Sequence, residues 1–192
     1  DPAEAGPLFC GGVTVFAPLE DEAVSPTAHV AVVGIGGLGH IALQFARAWG
    51  CEVTAITTNP AKTEQARRFG AHHVEELEAL PDLQNRFDLV INTVNQPLDW
   101  SAVMASLRPL GRLHQLGAVL EPIQVGAFDL IPGRRSITGS PLSSPASLLK
   151  MVEFCVRHNI RPLVEHLPMD QVNVAIERLA KGDVRYRFVL DA

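Results

Sequence analysis

The sequence predicts an α/β fold with a doubly wound, six-stranded parallel sheet. Short apolar runs rich in valine and isoleucine alternate along most of the chain with longer stretches of helical periodicity, which is typical of βα units. A glycine-rich turn follows the first of these runs directly. With 192 residues, the chain is long enough to bury one large core around such a sheet.

Six of the apolar runs are predicted as strands. Four are well bounded: His29–Val33, Glu52–Thr57 and Phe87–Asn92, which are rich in β-branched residues, and Arg112–Leu116. Two shorter runs, His73–Val74 and Ser136–Thr138, complete the predicted sheet.

Four helices are predicted between the strands from their amphipathic spacing: Leu38–Trp49, Ala61–Phe69, Trp100–Leu107 and Pro145–His158. Gly50 and Gly70 follow the first two helices, where a glycine commonly ends a helix. Ser143–Ser144 precedes Pro145 and is predicted to cap the fourth helix.

The turn after the first strand has the sequence Gly34-Ile35-Gly36-Gly37-Leu38-Gly39 and opens the first helix. In such a unit the first glycine permits the tight turn, the second lets backbone approach a pyrophosphate, and the third allows close contact between helix and strand. The helix N-terminus adds free N–H groups and a favourable dipole for phosphate. The turn therefore predicts a Rossmann fold that binds the pyrophosphate of a nicotinamide cofactor.

The end of the second predicted strand indicates which dinucleotide is bound. NAD(H) sites usually place Asp or Glu there, to accept hydrogen bonds from the ribose hydroxyls. This chain has Thr57-Thr58-Asn59 instead, followed by Lys62. No carboxylate repels a 2′-phosphate, and the hydroxyls, the amide and the ammonium supply donors and a positive charge. NADP(H) is therefore favoured over NAD(H).

Residues 29–160 are predicted to form the Rossmann NAD(P)-binding domain. An opening segment, residues 1–28, and a closing segment, residues 161–192, lie outside its βα pattern. The closing segment has a helical pattern near Gln171–Lys181 and a predicted strand at Tyr186–Leu190. The chain also lacks an initiator Met and a signal-peptide pattern at its start. We therefore expect a part of a longer protein, with both segments connecting to a neighbouring catalytic domain.

Composition and charge exclude other partners. The net charge of −5, without a dense block of Lys and Arg, predicts no nucleic-acid partner. No apolar run approaches the roughly 18 residues of a membrane span. Cys10, Cys51 and Cys155 are far apart and predict neither a disulfide framework nor a structural zinc site. We expect a reducing, cytoplasmic compartment.

Three phrases occur in order along the chain: PLFCGGVTV from Pro7, VVGIGGLGH from Val32 and VRYRFVLD from Val184. Together they resemble the zinc-dependent medium-chain alcohol dehydrogenases, and among these the cinnamyl alcohol dehydrogenase-like aldehyde reductases. The resemblance covers essentially the whole chain. It implies reversible oxidation of a primary alcohol to an aldehyde, with aldehyde reduction by NADPH as the favoured direction.

The resemblance also implies roles for particular residues. Cys10 would be the third protein ligand of the catalytic zinc, whereas its isolation in the sequence predicts a small, buried hydrophobic residue. Thr14 would lie by the nicotinamide, Arg187 by the pyrophosphate, and the polar residues after the second strand by the 2′-phosphate. Backbone of five residues would line the nicotinamide ribose and ring: Thr93, Val94, Gly117, Ala118 and Ser140.

Other parts of the family pattern are absent from this sequence: the first zinc cysteine, the Gly-His-Glu phrase and the four-cysteine structural zinc lobe. A catalytic zinc needs three protein ligands, so we expect this chain alone to bind cofactor without holding Zn²⁺ or turning over alcohol. Two alternatives stay open. One is a zinc-free quinone or enoyl reductase of the same superfamily, which Cys10 argues against, and the other is a non-catalytic NAD(P)-sensing module.

Three smaller patterns complete the predictions. Tyr186 is the only tyrosine and Leu190 stands where a Tyr-x-x-x-Lys pair would need lysine, so short-chain dehydrogenase chemistry is excluded. His72–His73 is predicted as a solvent-facing pair at a strand edge, because neighbours in a strand point to opposite faces. The unpaired edge at Ser136–Ser140 invites association, and the resemblance implies a homodimer formed there.

Overall fold

The computed structural model describes residues 2–192. The strands of its main sheet are β1 (His29–Val33), β2 (Glu52–Thr57), β3 (His73–Glu76), β4 (Phe87–Asn92), β5 (Leu107–Gln115) and β6 (Ser136–Gly139). All pair in parallel, in the order β3-β2-β1-β4-β5-β6. The predicted doubly wound, six-stranded sheet is therefore confirmed. The strand order reverses between β1 and β4, which is where such sheets bind ligands.

Helices cover both faces of the sheet. Helices α1 (Pro2–Pro7) and α2 (Val13–Asp21) come first, joined by a π-helical turn at Leu8–Gly12. They are followed by α3 (Gly39–Trp49), α4 (Thr63–Arg68), α5 (Trp100–Ser106), α6 (Ala127–Leu130), α7 (Pro145–His158) and α8 (Val172–Ala180), with 3₁₀ turns at Pro60–Lys62, Leu77–Asp82 and Met169–Gln171. A parallel pair of strands, β7 (Val164–Pro168) and β8 (Arg187–Asp191), forms a second, small sheet.

Aromatic side chains join three helices on one face of the sheet. Phe16 of α2, Phe45 and Trp49 of α3 and Phe154 of α7 have ring centroids 5.4 to 6.0 Å apart. Burial of such rings is a large source of stability. Part of the opening segment thus contributes to the same core as the sheet, while its assignment to a neighbouring domain stays a prediction.

Capping residues set the helix ends. Gly50 ends α3 with a φ of 107° and Gly70 follows α4 with a φ of 108°, both in the left-handed region that glycine adopts freely. The Ser144 side chain accepts a hydrogen bond from the backbone N–H of Ser147 at 3.1 Å and caps α7. The predicted roles of these three residues are confirmed.

The start of β5 differs from the prediction. The helix predicted to reach Leu107 stops one residue earlier, and Leu107 pairs with Phe87 as the first residue of β5. The strand then loops out, with Leu110 at a φ of 65°, and pairing resumes between Arg112 and Leu89. Pro109 lies in this bulge, and proline is confined to bulges and edges in a sheet. The interrupted pattern explains why only the second part of β5 was predicted.

Candidate cofactor site

The glycine-rich turn lies between β1 and α3 at the carboxyl end of the sheet. Gly34 has a φ of 88°, and a Cβ there would lie 2.3 Å from Val94 Cγ1. A Cβ on Gly39 would lie 1.9 Å from the Gly34 carbonyl oxygen. A Cβ on Gly36, in contrast, would meet no atom within 4 Å. Gly34 and Gly39 are therefore required by close contacts inside the protein, whereas the space beside Gly36 is open to a ligand.

A cleft of about 220 Å³ opens between this turn and the end of β2. We call it the β2 cleft. The polar residues predicted after the second strand all line it: Thr57, Thr58, Asn59 and Lys62. Gly34 and Gly36 of the turn line it as well. Thr57 Oγ1 accepts a hydrogen bond from the Asn59 N–H at 3.1 Å, while Thr58 is exposed. None of the described residues that line the β2 cleft is acidic.

Lys62 is the one basic residue among the described residues that line the β2 cleft. Its Nζ donates a hydrogen bond to the Ile35 carbonyl oxygen at 2.8 Å and lies 5.7 Å from the centroid of the Tyr186 ring. Burial lowers the pKa of Lys62. The ammonium is thus held by a carbonyl and an aromatic face, with no carboxylate bonded to it among the described residues.

A second cavity, of about 460 Å³, lies between the glycine turn and the closing segment. Gly37, Leu38, Thr93 and Arg187 line it, together with apolar residues of α8 and β8. Arg187 Nε donates a hydrogen bond to the Gly37 carbonyl oxygen at 3.2 Å. The structure therefore brings Arg187, which lies far along the chain, to the glycine turn.

The opening segment reaches the same region through Gly11. A Cβ on Gly11 would lie 2.8 Å from Arg187 Nη2. Cys10 directly precedes this glycine and Thr14 follows it three residues later, and Thr14 Oγ1 donates to the Cys10 carbonyl oxygen at 2.8 Å. Neither side chain lines the β2 cleft or the second cavity.

The ends of β4 and β5 are joined by side-chain amides, of which Asn92 is buried and Gln115 half-buried. Asn92 Nδ2 donates to Gln115 Oε1 at 2.9 Å, and Gln115 Nε2 donates to the Gly117 carbonyl oxygen at 2.6 Å. A Cβ on Gly117 would lie 1.8 Å from the Val94 carbonyl oxygen, so these segments touch through backbone. Thr93 Oγ1 also donates to the Gly34 carbonyl oxygen at 2.8 Å. The predicted residues Thr93, Val94 and Gly117 are thus brought together beside the turn, with Ala118 exposed next to them.

Ser140 lies further along this edge, in a network that the sequence did not predict. His114 Nε2 is 2.9 Å from Ser140 Oγ, and His114 Nδ1 is 2.6 Å from Glu22 Oε1. Thr138 Oγ1 and Arg112 Nη1 donate to the same carboxylate at 2.7 and 2.8 Å. Burial alone would raise the pKa of Glu22, but the hydrogen bonds from His114, Thr138 and Arg112 outweigh it and hold the pKa at about 2.

His40 is a second residue that sequence reasoning missed. Its ring is fully buried, its Nδ1 is 3.0 Å from the Gly36 carbonyl oxygen, and its Nε2 accepts the N–H of Leu163 at 3.0 Å. This pairing requires the neutral tautomer with the proton on Nδ1. Burial lowers the pKa of His40 to about 4. The signal was available in part, because His40 directly follows Gly39, but its partner Leu163 could not be inferred from local pattern.

The described residues offer no zinc centre. Cys10 is exposed on the π-helical turn, so the interpretation of it as a buried residue is wrong. No group of three or more His, Cys, Asp or Glu side chains in residues 2–192 lies close enough to hold a metal ion. His72 and His73 contact different partners, the Val53 N–H and the Glu52 carboxylate. Cys10 thus stands as a single candidate ligand, and no step through zinc follows from this chain.

Across the described residues, no helix combines the length and apolar character that crossing a bilayer requires.

Residues 37–157, more than half of the chain, match the family model described as "Zinc-binding dehydrogenase". The chain therefore belongs to the zinc-binding dehydrogenases, and its six-stranded domain is of the type that binds the nucleotide in that family. This confirms the resemblance seen in the sequence.

Individual relatives agree with this assignment. "Aldehyde reductase AdhA" of Synechocystis sp. is 49% identical over 99% of this chain and 57% of its own length. "NADP-dependent alcohol dehydrogenase C 1" of Mycolicibacterium smegmatis is 40% identical over 97% of this chain and 54% of its own length. The chain thus spans about half the length of the curated relatives it matches.

Solved structures match over the same extent. A cinnamyl alcohol dehydrogenase from Sorghum bicolor superposes with a TM-score of 0.91 at 37% identity, over 96% of this chain and 54% of its own. A structure of CAD from Helicobacter pylori, complexed with NADP(H), gives a TM-score of 0.86 at 29% identity, with coverage of 96% and 54%.

Proposed function

We propose that this chain is the NADP(H)-binding domain of a zinc-dependent alcohol dehydrogenase or aldehyde reductase. The observation that carries the proposal is the donor set of the β2 cleft. Thr57, Thr58 and Lys62 present hydroxyls and an ammonium, and no acidic residue is among the described lining residues. This set favours a 2′-phosphate over a free 2′-hydroxyl. The NADP(H) named for the M. smegmatis and H. pylori relatives supports the same cofactor.

The other contacts of the cofactor follow from the glycine turn. The open space beside Gly36 and the N-terminus of α3 would hold the pyrophosphate. Arg187, which already contacts Gly37, adds a positive charge there. Thr93, Val94, Gly117 and their neighbours continue the same edge of the sheet toward Ser140, and would line the nicotinamide end. When bound, the nicotinamide supplies or accepts the hydride.

We further propose that the whole protein interconverts a primary alcohol and an aldehyde, with aldehyde reduction favoured. In the described residues Cys10 is a single candidate for the three protein ligands that a catalytic zinc needs. This chain alone is therefore expected to oxidise no NADPH in the presence of an aromatic aldehyde such as cinnamaldehyde, with or without added Zn²⁺. Steady loss of NADPH absorbance that depends on the aldehyde would contradict this expectation.

The exposed edge of β6 supports a proposed homodimer. β6 pairs with β5 on one side only. Large apolar side chains near it in the sequence are exposed, with Leu120 at 93%, Phe128 at 86% and Ile131 at 66%. Edges and apolar patches of this kind favour association. Light scattering that gives the mass of one chain would contradict the dimer.

A reducing, cytoplasmic location is proposed because the three cysteines form no disulfide.

A titration of the purified protein with NADPH and NADH, followed by heat or tryptophan fluorescence, tests the cofactor. We expect NADPH to bind at least about tenfold more tightly, a difference of about 1.4 kcal/mol. Lys62→Met removes the ammonium but keeps the aliphatic stem, and is expected to raise the Kd for NADPH about tenfold while changing that for NADH by less than about twofold.

Lys181→Met is the matched control, because Lys181 is exposed at the end of α8 and does not line the β2 cleft. It should leave both dissociation constants unchanged. Equal affinity of the unaltered protein for the two cofactors would overturn the NADP(H) assignment, and binding of neither would overturn the cofactor site.

A further inference from the structure

Tyr186 has a backbone conformation that is unusual for an aromatic residue. Its φ is 75°, in the left-handed region, and its side chain is buried. A bulky residue pays a steric cost there and keeps the conformation only where its surroundings fix it. Strained residues of this kind cluster at functional sites, so the contacts of Tyr186 are informative.

Four side chains fix the Tyr186 ring. The ring stacks on His40 with centroids 4.5 Å apart, and Phe69 meets it edge-on at 5.1 Å. Its hydroxyl donates to Gln65 Oε1 at 2.8 Å. The Lys62 ammonium lies over its face at 5.7 Å, within the range of a cation–π interaction. The closing segment is thereby attached to α4 and to the residue that carries the positive charge of the β2 cleft.

The left-handed conformation aims two consecutive side chains at the cofactor site. Tyr186 points toward Lys62, while Arg187 donates to the Gly37 carbonyl oxygen. An extended residue at position 186 would continue β8 by one residue and could not send both side chains to these positions. The sequence predicted a strand from Tyr186, whereas β8 begins at Arg187, because the left-handed Tyr186 does not continue the extended backbone.

Lys62 needs such support, because a lysine side chain is flexible and its ammonium can occupy many positions. Here the Ile35 carbonyl oxygen holds the ammonium from one side and the Tyr186 ring from another. These two contacts hold the ammonium at the β2 cleft, which Thr57 and Thr58 also line. Loss of the ring would leave Lys62 free to turn into solvent.

We propose that Tyr186 determines cofactor specificity by positioning the Lys62 ammonium for the 2′-phosphate of NADP(H). The proposal rests on the proposed function, and Tyr186 acts through Lys62 rather than by touching the phosphate. A residue that supports only the fold would affect NADPH and NADH alike. A residue that positions Lys62 affects NADPH alone, and only while Lys62 is present.

The test is a double-mutant cycle read as the ratio of the two dissociation constants, Kd for NADH over Kd for NADPH. Tyr186→Leu removes the ring and is expected to lower this ratio about five- to tenfold, with the Kd for NADH changed by less than about twofold. In a Lys62→Met background the same substitution is expected to leave the ratio unchanged. Tyr186→Phe keeps the ring and should preserve the ratio within about threefold.

Phe69→Leu is the matched control. Phe69 packs against both His40 and Tyr186, yet the described contacts of its ring do not include Lys62. Its loss should leave the ratio unchanged even if stability falls. Circular dichroism establishes that each variant is folded. If Tyr186→Leu is not folded, Tyr186→Met replaces it, because methionine is longer and more adaptable and also lacks the ring.

Equal weakening of NADPH and NADH by Tyr186→Leu would overturn the proposal and assign Tyr186 a structural role. A change in the ratio that persists in the Lys62→Met background would also overturn it, because Tyr186 would then act by another route. These outcomes concern the variants. The proposed function itself would be contradicted by a different result, in which the unaltered protein binds neither cofactor or binds both equally.

Discussion

The two halves of the carboxyl edge of the sheet are shaped by different means. At β1 and β2 the turn is shaped by the absence of side chains, since Gly34 and Gly39 lie against neighbouring atoms and Gly36 faces open space. At β5 and β6 the edge is shaped by buried polar side chains, with His114 between Glu22 and Ser140. Backbone sterics fix the first half, whereas charge and hydrogen bonding fix the second. An added side-chain atom should therefore disrupt the first half, and loss of a charge should disrupt the second.

The glycine turn gives the largest expected effect. Gly39→Ala would place a Cβ 1.9 Å from the Gly34 carbonyl oxygen, which is backbone and cannot move aside cheaply. We expect the free energy of unfolding to fall by about 4 kcal/mol and cofactor binding to be lost. Urea denaturation and a titration with NADPH measure the two effects.

Gly36→Ala is the matched variant within the same turn. A Cβ at Gly36 would meet nothing within 4 Å, so stability should change by less than about 1 kcal/mol. The added methyl would occupy the approach to the pyrophosphate, and we expect NADPH affinity to fall at least about tenfold. Unchanged affinity would show that the phosphates do not approach Gly36.

The same contrast explains how much could be predicted from the sequence. The turn and the strands around it were predicted because their signals are local: a glycine spacing, an apolar run and a missing carboxylate at Thr57-Thr58-Asn59. The Glu22 network joins α2, β5 and β6, and no local pattern connects residues so far apart. The bulge before Arg112 was missed for a related reason, because Pro109 and the left-handed Leu110 interrupt the alternation by which a strand is recognised.

A second effect on stability is expected from His40, which lies beside the glycine turn, and this effect depends on pH. In the folded protein His40 is neutral with a pKa of about 4, whereas in the unfolded chain it titrates near 6.5. The unfolded chain therefore binds a proton between these values that the folded protein does not. Stability should decline as the pH falls from 6.5 to 4, with His40 contributing about 3 kcal/mol of that loss.

His40→Gln is expected to remove this part of the slope, because glutamine does not titrate but keeps a donor and an acceptor for Gly36 and Leu163. Urea denaturation of both proteins at several pH values from 7 to 4 measures the difference. His29 and His72 also have lowered pKa values and add to the slope in both proteins. An identical slope in the two would show that His40 becomes protonated without cost.

A smaller effect than that of His40 is expected at the β5–β6 half, in a lower pH window. The pKa of Glu22 is held at about 2, below its ordinary value of 4.5. Its ionised form therefore stabilises the fold fully above pH 4.5, and this contribution is lost as the pH falls toward 2. Glu22→Gln should lower the free energy of unfolding at pH 7 by about 2 kcal/mol, because His114 and Arg112 lose their carboxylate partner. Urea denaturation measures it, and the difference from the unaltered protein should narrow below pH 4.5.

Glu121→Gln provides the control for that measurement, since Glu121 is exposed and has no hydrogen-bond or ion-pair partner among the described residues. It should change stability by less than about 0.5 kcal/mol.

NADPH affinity distinguishes the roles of the two halves of the carboxyl edge. Glu22 supports Ser140 only through His114, so Glu22→Gln should weaken binding by less than about threefold, whereas Gly36→Ala weakens binding and spares stability. A large loss of affinity in Glu22→Gln would mean that the polar network, like the glycine turn, shapes the cofactor site directly.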